Sequence, residues 1–358
     1  MPNTNIRVPM SVKIPIIFIG CIAFIFALYI AKSILIPLVF ATIFAILLHP
    51  IVNLFIKIKI NRVVAIIITL FLTTAVIGLL GIFLFSQTGR FSESLPNLVE
   101  RFTEIINQII IWVSGYFNLS SQEIIEWITK FKNELIGILV TGKTLANVTS
   151  VLAFLFLIPV FVFMILFYQP LLIEFFRRAF GKSQRSKVSE VINLIKTLIQ
   201  SYLVGLLFQV GIIATMYSVG LLILGIEYAI ILGIIGAFLN LIPYLGSIVA
   251  AIIPMLIAIA TKTSPWFALL VLALYVFTQF IDNNFITPKI VGSQVKLNAL
   301  ASIVAVIGFA TLWGIPGMIV AIPLTAIAKL VFDNVEPLEH WGFLLGDTMP
   351  PQFKKIKS

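Results

Sequence analysis

The sequence predicts an all-α, polytopic integral membrane protein, with about six full transmembrane helices plus two segments broken by Pro and Gly that fold back as re-entrant hairpins. Three observations predict it. Over 358 residues the chain is 60% hydrophobic and 11% charged, with a mean hydropathy of +1.14, whereas a soluble domain is roughly 45–50% apolar and about 25% charged. Its charges fall in short stretches between apolar runs of about 20 residues, the length that crosses a bilayer. Two of those runs, Tyr228–Ala260 and Leu300–Phe332, are longer than one span needs and carry Pro and Gly near their middles.

The first run, Ile14–Ile30, follows Arg7 and Lys13. No small-residue cleavage site separates it from the second run, so it reads as an uncleaved transmembrane helix rather than a signal peptide. Ile34–Phe55 and Val63–Phe85 are the second and third spans. The basic residues before the first span, and Lys57, Lys59 and Arg62 after the second, place the N-terminus on the cytoplasmic side of a bacterial inner membrane.

Arg90–Lys143 holds five basic and six acidic residues and is expected outside. Leu95, Leu98, Phe102 and Ile105 recur there at helical spacing. Ile124, Ile128, Phe131 and Leu135 do so again after a capping box at Ser120–Glu123, giving two amphipathic helices whose apolar stripes lie on the membrane surface, pack on each other or meet neighbouring subunits. Val151–Phe167 is the fourth span. Gln169–Gln200, with six basic and two acidic residues, is expected as a cytoplasmic surface helix facing anionic headgroups and leading into the fifth span, Tyr202–Leu224. Trp266–Phe285 is the sixth. The expected divisions are residues 1–87 for the N-terminal spans, 88–148 for the outer helices, 149–201 for the fourth span and basic helix, 202–333 for a core with both broken stretches, and 334–358 for a cytoplasmic tail.

The broken stretches share a pattern. Ile242-Pro243-Tyr244-Leu245-Gly246 leads into Ile248-Val249-Ala250 and Pro254, and Ile315-Pro316-Gly317 leads into Ile319-Val320-Ala321 and Pro323. Proline with a neighbouring glycine breaks a helix, and the backbone groups released cannot face lipid. Paired half-helices with tips at membrane depth are one way that transporters build a substrate site; two ordinary spans joined by a tight turn, or one kinked span, are the other readings.

Ionisable and amide groups inside apolar runs mark the candidate site, because an acid at membrane depth costs roughly 2.5–3.5 kcal/mol on insertion scales. Asp282 follows a long apolar run, with Gln279 a turn before it and Asn283 beside it; together they offer oxygens for a cation or a polar solute. A carboxylate there is also placed to carry a coupling proton, and a solvated helix end is the plainer reading. Asn240 precedes the Pro243 break, where its amide either satisfies freed backbone or meets a ligand. Gln200 and Gln209 are expected to bond across helices, and His49 to sit at the interface. The candidate binding residues are therefore Asn240, Pro243, Tyr244, Gly246, Gln279, Asp282, Asn283, Pro316 and Gly317.

Other classes are disfavoured. The net charge of +10 arises from Lys and Arg between spans, which the positive-inside rule explains without a nucleic-acid partner. Cys21 is the only cysteine, and His49 and His340 are the only histidines, so neither an intrachain disulfide nor a His/Cys metal site is expected. There is no GxxxxGK[ST], HExxH or GxSxG motif, and neither an enzyme nor a cofactor is indicated.

Read together, Asn240–Gly246, Asp282 with Thr287-Pro288-Lys289-Ile290-Val291-Gly292, and Gly314-Ile315-Pro316-Gly317 followed by Ala321-Ile322-Pro323 resemble the AI-2E (autoinducer-2 exporter-like, PerM-like) transporter family, with Tyr202–Gly205 and Leu224-Gly225 also fitting. The resemblance is specific over roughly Gln200 to Phe332. It departs where the family often has His-Pro and this chain has Asn298-Ala299, and where Leu206 rather than Gln follows Gly205. It implies a secondary transporter exporting a small polar solute such as autoinducer-2, or alternatively a Na+(Li+)/H+ antiporter. It also implies a homo-oligomer, with a pentamer among the states. A non-transporting membrane scaffold built on the outer helices is the third reading.

Overall fold

The structure is a computed structural model and describes residues 10–84, 86, 143–181, 184–243, 246–262, 264, 266–292 and 296–348. The two expected outer helices, Tyr244 and the Lys-rich tail lie outside the described residues. Apart from one isolated bridge between Leu297 and Gly346, every regular element described is helical: α1 (Met10–Ile30), α2 (Lys32–Lys57), α3 (Arg62–Leu84), α4 (Lys143–Ala179), α5 (Arg185–Ile223), α6 (Ala229–Leu239), α7 (Gly246–Thr261), α8 (Trp266–Ile281), a π-helical segment Asp282–Gly292, α9 (Ala299–Trp313), α10 (Ile315–Asn334), a 3-10 turn Glu336–Leu338 and α11 (Glu339–Leu345).

Six of these are long and apolar enough to cross a membrane: Lys32–Lys57, Arg62–Leu84, Phe156–Ala179, Arg185–Ile223, Trp266–Ile290 and Ile315–Asn334. The all-α membrane fold therefore stands. The first run, Ile14–Ile30, lies within the 21-residue α1, and the C-terminal half of the second broken stretch is by itself long enough to span. The basic segment leads into the fifth span as one helix. α5 runs without a break through Gln200 for 39 residues, about 58 Å at the helical rise, because no Pro or Gly interrupts it between Arg185 and Tyr202.

Two compact units divide the chain, Met1–Phe44 with Leu297–Ser358 and Ala45–Lys296. In the first, α9 and α10 meet at Gly314, whose φ of 66° requires the left-handed region that suits glycine. Pro316 follows in the first turn of α10, where a missing N–H leaves no bond unmade. Gly317 is buried against α9, and a Cβ there would overlap the Phe309 carbonyl. Asn298 fastens the start of α9: its Oδ1 accepts from the Ala301 N–H at 2.8 Å, and its Nδ2 donates to the Leu344 and Gly346 carbonyls at 2.7 and 2.9 Å. Trp313 Nε1 donates to the Leu28 carbonyl of α1 at 3.2 Å.

In the second unit, Ile213, Tyr217 and Leu221 recur every fourth residue along α5 and pack with α6, α7 and α8 in one core. Small residues let the backbones approach, as membrane helices require when water expulsion cannot drive their association: Gly233 lies against Ser218, and Ala237, Ala250, Ala258 and Ala268 are buried. The outer faces carry large apolar groups, Phe71 at 71% exposure and Ile223 at 79%, a surface suited to lipid. The first broken stretch is two helices. At the end of α6 the N–H groups of Asn240, Leu241 and Ile242 bond back to Gly236, Phe238 and Leu239, and Pro243, with no N–H to give, ends the series. Gly246 then donates to the Ile242 carbonyl at 3.0 Å as α7 begins. With 11 residues, α6 rises only about 16 Å, against a hydrocarbon core of about 30 Å.

Candidate functional site

Asp282 is 2% exposed, at the point where α8 passes into the π-helical segment. Its position on α8 follows from spacing: Tyr275, Thr278 and Asp282 share the face that turns into the unit. The wider π winding then places Thr287, five residues on, directly over the carboxylate, a local geometry that an ordinary α-turn does not give. Thr287 Oγ1 donates to Asp282 Oδ1 at 3.0 Å.

Two further elements reach the same group. From α5, Gln209 Nε2 contacts Oδ1 at 2.8 Å, Oδ2 at 3.0 Å and Thr287 Oγ1 at 3.0 Å. From the end of α6, Asn240 Nδ2 donates to Oδ2 at 3.0 Å. α5 comes this close because residue 205 is glycine: a Cβ there would overlap the Ile290 carbonyl of the π-helical segment. Among the described residues the ion pairs are Arg178–Glu174 and Lys329–Asp333, so Asp282 is held by amides and a hydroxyl, not by a cation. Such charge-assisted hydrogen bonds are the means by which an unpaired buried carboxylate is tolerated.

Beside the carboxylate lie polar groups with nothing to bind. Tyr217 and Tyr275 stack with ring centroids 4.0 Å apart and an interplanar angle of 18°, and both are buried, as is Thr278. The hydroxyls of all three, and Gln279 Oε1, are buried without a hydrogen-bond partner. Buried polar atoms left unsatisfied are rare and costly, and these four fall on α5 and on neighbouring turns of α8.

Several expected residues therefore come together. Asn240 and Asp282 bond directly; Gln279 Nε2 donates to Asn283 Oδ1 at 3.1 Å, with Asn283 itself turned outward and exposed. Pro243 ends the turn after Asn240, and Gly246 is buried where a Cβ would overlap the Leu239 carbonyl. Pro316 and Gly317 fall in the other compact unit, at the start of α10. Gln209 was read from sequence only as an interhelical amide, and Thr287 only as part of a motif. The tyrosine pair does not stand out in the sequence; its signal is the spacing Gln209–Ile213–Tyr217 on α5 against Tyr275 and Thr278 on α8 and Asp282 just beyond it. Gln200 does bond across helices, donating to the Ile46 carbonyl at 2.8 Å.

The sequence matches the model of the AI-2E family transporter over residues 18–336, which takes in the whole of the unit Ala45–Lys296 and of this site. The chain belongs to the AI-2E transporter family. This transporter is 26% identical to YueF of Bacillus subtilis (strain 168) over 342 residues, 91% of this chain and 89% of the relative. YrrI of the same organism is 27% identical over 254 residues, 68% of this chain and 69% of that one. The AI-2 transport protein TqsA of Escherichia coli (strain K12) is 24% identical over 325 residues, 88% of this chain and 90% of that protein. Family and fold together make the chain a multi-pass membrane transport protein.

Proposed function

We propose that this AI-2E transporter is a secondary carrier of the bacterial inner membrane that exports a small polar solute, bound where α5, α6 and the π-helical segment converge on Asp282. One observation carries the reading: a buried carboxylate held by uncharged donors from three elements, next to four buried polar atoms with no partner. A hydroxylated solute supplies both donors and acceptors, so it suits the unpaired tyrosine and threonine hydroxyls and the Gln279 oxygen better than an apolar molecule does. The shortness of α6 supports a turn at Asn240–Pro243 that lies at membrane depth, the arrangement by which broken helices present polar backbone to a substrate. TqsA is named for AI-2 transport, which makes autoinducer-2 the first solute to try.

The experiment is complementation. In cells lacking the gene, intracellular autoinducer-2 is expected to rise, the wild-type gene to restore it, and Asp282→Asn to fail although the protein reaches the membrane. An unchanged level on deletion counts against this solute. Na+-dependent collapse of a pH gradient in everted vesicles, abolished by Asp282→Asn, would instead make the carrier a Na+(Li+)/H+ antiporter. Full complementation by Asp282→Asn would point to a scaffold.

A further inference from the structure

A recess lies in the unit Ala45–Lys296, open on one side, between α2, α4 and α5: its surface is almost wholly apolar, with Ala45, Ile46, Ile165 and Leu166 in its wall, and His49, Gln169 and Lys196 also line it. Arg62, the first residue of α3, stands at its edge; its Nη2 donates to the Leu166 carbonyl at 2.6 Å and to Gln169 Oε1 at 3.2 Å, while its Nε is buried with no partner. The charges of Lys196 and Arg62 both act on His49. His49 Nδ1 accepts from Asn53 Nδ2 at 3.1 Å.

The charge around this recess is one-sided. Residues 57–62 and 169–200 together carry nine Lys and Arg against two Glu, and Glu174, one of the two, is taken by Arg178. Lys196 and Arg62 are half-buried, and neither forms an ion pair among the described residues. A half-buried cation beside an unpaired guanidinium N–H attracts a phosphate, which brings several acceptor oxygens at once. The remaining lining is apolar, which does not suit a hydrated free anion but does suit the upper part of an acyl chain.

We propose that this recess binds the headgroup phosphate of an anionic phospholipid, with Lys196 and Arg62 as its cationic contacts and the Ile46–Leu166 wall along the first acyl carbons. The lipid bridges α2, α4 and α5, and it is a site distinct from that at Asp282.

The test is native mass spectrometry of the purified full-length protein in detergent, with phosphatidylglycerol or phosphatidylcholine of the same acyl chains added, alongside thermal unfolding. Wild type is expected to retain phosphatidylglycerol in preference to phosphatidylcholine and to unfold at a higher temperature with it. Lys196→Gln is expected to weaken phosphatidylglycerol binding about fivefold, as the loss of one basic contact to an anionic lipid implies. Lys196→Arg, which keeps the charge, retains binding, and Lys187→Gln on the exposed face of the same helix changes nothing; together they separate loss of the site from misfolding. Equal retention of the two lipids, or wild-type binding by Lys196→Gln, overturns the proposal. Displacement of the lipid by millimolar glycerol phosphate or inorganic phosphate also overturns it, by making the ligand a soluble phosphate.

Discussion

At the residue scale the site depends on one acid with neutral neighbours. Asp282→Asn puts an amide N–H₂ against the amides of Gln209 and Asn240, so donors face donors in a buried place. Transport is expected to fall by about tenfold or more, the equivalent of one lost charge-assisted hydrogen bond, and the unfolding free energy by about 1–3 kcal/mol; solute efflux and thermal unfolding measure the two. The tyrosines behave in the opposite way. Because the Tyr217 and Tyr275 hydroxyls have no protein partner, Tyr217→Phe and Tyr275→Phe break no bond and are expected to leave thermal stability unchanged or raise it by up to about 1 kcal/mol. Efflux nevertheless drops if those hydroxyls serve the solute; an undiminished rate in both variants would remove them from the site. Asp282 and Asn240 were legible in the sequence because polar groups stand out in apolar runs. The tyrosines were not, since a ring in a span looks like core until its oxygen is seen to be unpartnered, and Gln209 is separated from Asp282 by 73 residues, a pairing that only packing reveals.

Among the elements, the π-helical segment sets the site's geometry and Gly205 sets how closely α5 approaches it. Gly205→Ala places a methyl on the Ile290 carbonyl, and backbone cannot yield as a side-chain tip does, so a loss of about 1–3 kcal/mol is expected, together with weaker solute binding as Gln209 is pushed away from Asp282. A stability equal to wild type would show that the two elements slide apart at no cost. The turn between α6 and α7 has a topological test. In a Cys21→Ser background, a cysteine at Leu241 is expected to resist bulky impermeant maleimides from the cytoplasm; efficient labelling from that side would mean that the turn crosses fully. Both breaks were legible because Pro and Gly interrupt an apolar run in a way lipid does not allow. The π winding was not, since Pro288 within Asp282–Gly292 announces a break in the α pattern without saying what winding replaces it, and the continuity of α5 was hidden by a change from basic to apolar composition that has no effect on the backbone.

For the molecule as a whole, composition alone sufficed to name the solvent: apolar surface with small buried residues is the reverse of a soluble protein, and the exposed Phe71 and Ile223 carry the same message as the mean hydropathy. What composition did not convey is how the start of α9 is fastened to the chain that follows α11 in the stretch Leu297–Ser358. That task falls to Asn298, where the family often has His-Pro. Asn298→Ala removes an N-cap and two further donated bonds and is expected to cost about 1–2 kcal/mol, measurable by thermal unfolding. The fastening also constrains how the gene can be handled. A stop codon placed ahead of Gly346 would delete carbonyls on which the start of α9 relies, so a purification tag is best appended beyond that glycine, and a truncation series is expected to lose expression abruptly there rather than gradually.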